Sequence, residues 1–306
     1  MKSIAFLLAG ALAVVALSAR TASAAAIRVA YAGSMGAVMD QQVGPAFGKI
    51  HEAAYQGVGQ GSYALAHLLA SKQMRADVFI SITPGPMRIL IKDGLVKQAI
   101  PVASTQMVIA YSRKSRFAEQ FAAEPSGKEQ WYKVLELKGA RFGRTDPATD
   151  PQGQNIIFTF ILAERYYYQP GLAAKILGPW RNPAQIFTEP SLLTRLESGQ
   201  LDASSGYLSA VLSQHLPYIS LPPQINLADP SYFDSWYSKA GFTFDGPNGH
   251  PINAKPQPLV FYAAVLANAE NPGLAANFIE FISGEAGQKL LRNSGYNGPL
   301  GGPLNE

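Results

Sequence analysis

Hydroxyl side chains recur where a strand pattern gives way to a helix pattern. Gly33-Ser34, Gly61-Ser62, Ser81 with Thr83-Pro84, and Thr149-Asp150-Pro151 are four such turns. Each hydroxyl is a good helix N-cap, worth about 1 kcal/mol, and any one of them alone reads as a cap. Together they suggest different chemistry. In an open α/β sheet, the turns after the strands' carboxyl ends lie along one edge. Helix N-termini converging there aim unpaired N–H groups and positive dipole ends into one cleft. Such a cleft suits a small anion held by neutral donors. Arg141 and Arg144 flank the last turn, but surface solvation is their expected role.

The elements that must position these turns alternate in type. Residues 27–31 read as a strand, followed by a helical pattern with Val38, Val43, Phe47 and Ile50 on one face. A short strand over 53–57, a helix over 63–71 and an apolar run over 76–82 come next, and Thr83-Pro84 opens another helix. This alternation predicts a mostly parallel α/β sheet. Residues 107–111 and 259–266 are strong strands bracketing a middle block with its own α/β pattern, including a long helix over 154–168. We read the two as crossover connections. The expected lobes are 25–107 with 261–306, and 108–260, hinged around a cleft where ligands commonly bind.

Bulk properties narrow the setting. Lys2, an apolar run over 4–17 and Ala22-Ser23-Ala24 form a signal-peptide pattern, with cleavage expected after Ala24. Of 306 residues, less those 24, 282 remain, enough for two lobes. The leader holds Lys2 and Arg20, so the net charge falls from +4 to +2. With no dense basic cluster, that charge is no nucleic-acid footprint. No cysteine is present. Disulfides, thiolate metal sites, cysteine nucleophiles and a lipidated cysteine anchor are therefore excluded. The expectation is an unanchored, monomeric protein of a Gram-negative periplasm, with no cofactor.

Tyr31-Ala32-Gly33-Ser34-Met35 resembles the opening ligand loop of periplasmic molybdate/tungstate-binding proteins. Gln60-Gly61-Ser62 is similar to their second serine loop, and Ala76-Asp77-Val78-Phe79-Ile80-Ser81 to the strand that follows. Gly143-Arg144-Thr145-Asp146-Pro147-Ala148-Thr149-Asp150-Pro151-Gln152-Gly153 resembles the doubled Asp-Pro turn of the tungstate-type branch. Leu201-Asp202, Tyr207-Leu208-Ser209, Gln214-His215 and residues 221–227 continue the match in order, over nearly the whole mature chain. The single motifs are weak; their collinear order is the specific part.

The resemblance implies a two-lobed type II periplasmic binding protein whose partners are a small oxyanion and the membrane permease of an ABC transporter. It carries ligand contacts to Ser34 and Ser62, to backbone amides of the 149–153 turn, Gln152 and Gly153 among them, and to Tyr207. Ser81, at the third turn, completes the candidate set. In the tungstate-type branch an aspartate of the doubled turn and a glutamate before the later tyrosine approach the oxyanion's metal centre. Asp146 and Asp150 are both candidates for the first role, and Gly206 stands in place of the second. Six-coordination and the anion's identity are therefore left open, with molybdate or tungstate first and sulfate or a small organic anion as alternatives. A carboxylate facing an ionised oxyanion repels it unless protonated or bonded to an electrophilic metal. If Asp150 only caps the 154–168 helix, a plain tetrahedral site remains.

Other readings are weaker. Ala32-Gly33-Ser34-Met35-Gly36 lacks the first glycine of a nucleophile elbow. His215 or His250, with Asp202 or Asp234 behind, has no diagnostic spacing for a serine hydrolase. The four histidines are scattered and suggest no metal site. Trp131, Trp180 and Trp236 are expected in core or rim positions rather than in an aromatic box. A sensor input would use the same cleft closure as a transport component.

Overall fold

The computed structural model describes residues 25–123, 130–246 and 249–306; the expected leader, 1–24, lies outside the described residues. The larger sheet is built from β1 (Ala26–Ala32), β2 (Ala54–Gln60), β3 (Val78–Ile82), β4 (Gln98–Ser104), β11 (Val260–Val265) and β12 (Leu304–Asn305). Its order is β12-β4-β11-β3-β1-β2. The smaller sheet combines β5 (Met107–Tyr111), β6 (Phe142–Gly143), β7 (Ala203–Tyr207) and β8 (Tyr218–Ser220) in the order β6-β7-β5-β8. β9 (Phe242–Asp245) and β10 (Pro251–Ala254) pair as an antiparallel ribbon.

The sheets are more mixed than the alternation predicts. β1 runs parallel to β2 and β3, but β11 is antiparallel to both of its neighbours. The reason is connectivity. β11 returns from the second sheet instead of following a crossover helix within the first, so the right-handed parallel rule does not govern it. β3 and β11 are buried almost throughout and read as continuous apolar runs, as central strands covered on both faces do.

Two short segments join the sheets. Thr105 and Gln106 lead from β4 into β5, and residues 255–259 lead from β10 into β11. They lie side by side, with the Thr105 amide donating to the Leu259 carbonyl at 3.1 Å. This pair of crossings is the hinge. Across the cleft the lobes touch, and the Ala64 amide donates to the Thr149 carbonyl at 3.0 Å.

Two helices differ from expectation for local reasons. The helix pattern after β1 is broken into a 3-10 turn (Gly33–Met35), a helical turn (Gly36–Val38), a π turn (Met39–Val43) and a helix (Gly44–His51). Pro45 has no N–H for the preceding turn, and the Gly44 amide bonds the Met39 carbonyl in π fashion. The long helix of the second lobe starts earlier than expected and spans Pro151–Tyr166. Asp150 caps it and Pro151 occupies its first position, where the missing N–H costs nothing.

Candidate functional site

On the side of the larger sheet, β1 ends in the 3-10 turn that presents Ser34 to the cleft. Ser34 is buried, its carbonyl accepts from the Tyr296 hydroxyl at 3.1 Å, and its Oγ has no hydrogen-bond partner. Such buried, unpaired hydroxyls are rare and call for an explanation. Ser62 opens the helix Ser62–Ala70, and its Oγ accepts from the Ile82 amide at 3.3 Å, tying the second turn to the end of β3. Ser81 is committed locally, donating to the Thr83 carbonyl at 3.3 Å. Thr83 caps the next helix at φ 65°, a left-handed conformation strained for a β-branched residue, and its buried hydroxyl is likewise unpaired.

On the other side, the doubled Asp-Pro turn separates its two aspartates. Asp146 is half-buried, accepting from the Ala148 amide at 2.9 Å and pairing with Arg181 at 2.8 Å. Asp150 is only 5% exposed, and its carboxylate accepts from the Gln152 amide at 2.9 Å. Both aspartates line the cleft cavity, and Asp150 is the more deeply buried of the two.

The turn does not offer the free backbone donors that the sequence reading assigns to it. The amides of Thr149 and Asp150 donate to the Asp146 carbonyl, that of Gln152 to the Asp150 side chain, and that of Gly153 to the Asp150 carbonyl. Pro151 has none. Gly153 serves packing instead. A Cβ there would lie 2.4 Å from the Thr145 carbonyl oxygen, so only glycine lets the helix approach its own N-terminal turn.

The centre of the site contains a residue that the sequence reading misses. Glu189 opens the helix Glu189–Ser198 and is 5% exposed. Gln152 Nε2 donates to Glu189 Oε1 at 2.7 Å, and the Ser205 hydroxyl donates to Gln152 Oε1 at 2.7 Å. The turn after β1 packs against the Glu189 carboxylate, since a Cβ on Gly33 would lie 2.9 Å from its Oε2. Tyr207 is fully buried, and its hydroxyl oxygen accepts from Asn155 Nδ2 at 2.9 Å. One signal could have found Glu189: Thr188-Glu189-Pro190 repeats the hydroxyl-with-proline helix start of the other turns.

Gly206 lies on the wrong face to mark a missing ligand. Strand alternation turns Ser205 and Tyr207 toward the Pro151–Tyr166 helix, and a Cβ on Gly206 would meet Val211 Cγ2 at 2.7 Å and Ala110 beyond it. The second carboxylate of the site comes from Glu189.

The electrostatics follow from burial without a cation. Burial pushes the Asp150 carboxyl up to about 6; the charge of Asp146 adds to this, while the Gln152 amide and the Thr145 hydroxyl oppose it. Burial, then the neighbouring Asp150 charge, raises Glu189 well above the usual carboxylate range. Tyr207 is raised by burial and by both carboxylates. None of the ion pairs among the described residues includes Asp150 or Glu189.

Of the two flanking arginines only Arg141 is exposed to solvent as expected, and neither joins the site. Arg144 is fully buried, with its guanidinium donating to the carbonyls of Trp180 (2.7 Å) and Pro179 (2.9 Å), and burial lowers it to about 10. Arg141 binds Asp202 at 3.0 Å. Asp202 also accepts from the Ser115 hydroxyl, so it is engaged away from any histidine. Trp131 is buried in the core, and Trp180 and Trp236 pack against it. Among the described residues no cluster of three or more His, Asp or Glu side chains could hold a metal ion.

The cleft opens to either side of this centre. A cavity of about 610 Å³ is lined by Gly61, Thr145, Asp146, Asp150, Phe187 and Glu189, among others. A second, of about 390 Å³, is lined by Ser34, Asp40, Thr194 and Glu197, with Gly59 and Pro190 on the rim of both.

Two sheets joined by paired crossings, with a polar centre between them, define the two-lobed class of periplasmic binding proteins. Over residues 27–297 the chain matches the bacterial extracellular solute-binding protein family, and it belongs to that family. It is 32% identical to the molybdate/tungstate-binding protein WtpA of Pyrococcus abyssi over 63% of this chain and 59% of that protein. It is 33% identical to an uncharacterized solute-binding protein of Petrotoga mobilis over 64% of this chain and 60% of that one. The matches thus span about three fifths of these relatives' length. Among solved structures, the periplasmic molybdate-binding protein of Azotobacter vinelandii superposes with a TM-score of 0.64 at 15% identity, covering 90% of this chain and all of that one. The sulfate-binding protein SubI of Mycobacterium tuberculosis gives 0.58 at 13% identity, covering 90% and 85%. At such identities these two likenesses concern the fold.

Proposed function

We propose that this protein is the solute-binding component of an ABC transporter, holding a small oxyanion between its lobes and delivering it to the membrane permease. Molybdate or tungstate is the first candidate. The carrying observation is the buried Ser34 Oγ, a hydroxyl without a hydrogen-bond partner at the cleft, on the turn that packs against Glu189. The similarity to molybdate/tungstate-binding relatives supports the same reading.

In this reading Ser34, Ser62 and Tyr207 hold the anion, and Asp150 faces it. Sulfur in sulfate is coordinatively complete, so a facing carboxylate only repels it; molybdenum and tungsten accept further hard oxygen ligands. The lobes are residues 25–107 with 261–306, and 108–260. The protein is secreted through cleavage of its leader, works unanchored and monomeric in the periplasm, and has no catalytic role.

Calorimetry on the mature, anion-stripped protein tests this with molybdate, tungstate, sulfate, phosphate and small carboxylates. The expected result is tight binding of molybdate or tungstate, weakened by Ser34→Ala by about 1–3 kcal/mol, the cost of losing a donor to a buried charge. Binding of an organic solute with no oxyanion response would overturn it.

A further inference from the structure

Tyr296 reaches the turn after β1 from outside the cleft. Its hydroxyl donates to the Ser34 carbonyl at 3.1 Å, on the residue whose own buried hydroxyl has no partner. The Tyr296 side chain is buried and its ring meets Phe261 edge to face, so close packing leaves it little freedom to turn. Burial holds the phenol well above the usual tyrosine range, and it stays a donor. The segment that carries it, residues 294–297, runs beside the hinge. There the Ser104 amide donates to the Asn297 carbonyl at 3.1 Å, and the Asn297 amide to the Ser104 carbonyl at 3.0 Å. The same segment touches the other lobe. The Ser213 hydroxyl lies 3.0 Å from the Ser294 carbonyl oxygen. Gly295, at φ 83°, passes so close to Leu212 that a Cβ there would lie 2.7 Å from Leu212 Cδ1. Leu212 and Ser213 end the helix Leu208–Ser213. Its first turn is anchored on the hinge, with the Ser209 amide donating to Thr105 Oγ1 at 3.3 Å.

We propose that Tyr296 is the positioning residue for Ser34, and that the 294–297 segment carries the state of the hinge to it. This rests on the oxyanion reading above and adds the residue that aims its serine. The lever is the helix Leu208–Ser213. A helix anchored at a hinge moves least at its anchored end and most at the far one, where Leu212 and Ser213 meet the segment. With the lobes closed, those contacts seat Tyr296 against the Ser34 carbonyl. Fixing the carbonyl fixes the turn, so the Ser34 hydroxyl is aimed before the anion arrives, and a donor already in place loses less freedom on binding. With the lobes apart, the segment loses Leu212 and Ser213, and the turn is free to shift. Closure and tight binding then favour one another.

Calorimetry with sodium molybdate on the full mature chain, stripped of anion, tests this in wild type, Tyr296→Phe, Ser34→Ala and the double variant. Tyr296→Phe keeps the buried ring and removes only the donor. It is expected to weaken binding about three- to ten-fold, the factor that one hydrogen bond carries. In the Ser34→Ala background the same change should cost almost nothing, because the hydroxyl it positions is gone. Equal losses in the two backgrounds would mean that Tyr296 only supports the fold. That result, or unchanged binding by Tyr296→Phe, would overturn the proposal. Ser213→Ala tests the other end of the segment at a half-buried residue, whether or not Tyr296→Phe folds. The expected loss is about three-fold with Ser34 present and none in Ser34→Ala. Unchanged affinity would overturn the link to the hinge. If the wild type binds none of molybdate, tungstate, sulfate and phosphate, the oxyanion reading itself fails and the role of Tyr296 with it.

Discussion

Gln152 Nε2 donates to Glu189 Oε1 at 2.7 Å while the other end of the same amide accepts from the Ser205 hydroxyl at 2.7 Å. The two bonds fix which way the amide points. They also tie three elements together: the Pro151–Tyr166 helix, the start of the Glu189–Ser198 helix, and β7. All three side chains are buried, so each depends on the others for its hydrogen bonds.

Gln152→Leu should therefore destabilise the protein by about 2–4 kcal/mol, because it strands both the Glu189 carboxyl and the Ser205 hydroxyl in a dry site. Ser205→Ala should cost less, about 1 kcal/mol, since one amide oxygen loses one neutral bond. Urea unfolding of the three proteins in anion-free buffer checks the order.

Gly61→Ala should separate closure from folding. Gly61 has φ −54° and ψ 127°, a conformation open to any residue, so its own lobe tolerates a methyl group. In the closed form that methyl would lie 2.6 Å from the Thr149 carbonyl oxygen and 3.0 Å from Asp150 Cβ. The expected outcome is an anion-stripped melting point within a few degrees of wild type and an affinity at least ten-fold weaker. Calorimetry and thermal unfolding together read both.

Arg144→Met should distinguish a structural arginine from an anion-binding one. Loss of the guanidinium leaves the Trp180 and Pro179 carbonyls without their buried donor. The expected cost is about 2–4 kcal/mol of stability, with anion affinity unchanged in the folded protein. A basic residue that binds the ligand would show the reverse pattern in calorimetry.

Much of this was legible in the sequence because it depends on local chemistry. Ser34 and Ser62 follow glycines at strand ends, and short-range sterics place such turns at the cleft edge of an α/β sheet. The Asp150 cap and the Pro151 helix start obey the same local rules. What the sequence could not separate were effects decided by partners far along the chain. Asp146 and Asp150 sit in equivalent Asp-Pro pairs, yet Arg181, 35 residues on, pairs with Asp146, and none of the ion pairs among the described residues includes Asp150. Glu189 reads as an ordinary acidic residue in a first helical turn, favoured there by the dipole. Only the closure of the Ser34 turn over it makes it a buried centre. The direction of Gly206 depends on the register of β7 against β5, where Gly206 pairs with Val108, and no spacing within β7 reveals that.

The buried carboxylates should make the anion-stripped protein less stable as the pH rises. Burial lifts Asp150 to about 6 from an unfolded value of 3.8, and Glu189 moves in the same direction. Between those values the folded chain holds more protons than the unfolded one, so unfolding releases protons and stability falls with rising pH. The contribution from Asp150 is fully present below about 3.8 and lost as the pH passes about 6. Other groups act oppositely; Asp202, held by Arg141 and Ser115 against its own burial, is lowered and stabilises above the carboxylate range. The clean observable is therefore the difference between wild type and Asp150→Asn, which keeps the helix cap and loses the charge. Melting points from pH 4.5 to 8 should show the variant gaining on wild type from pH 4.5 up to about 6 and then holding a constant lead. A lead that does not change with pH would mean that Asp150 keeps an ordinary carboxylate's acidity in the fold.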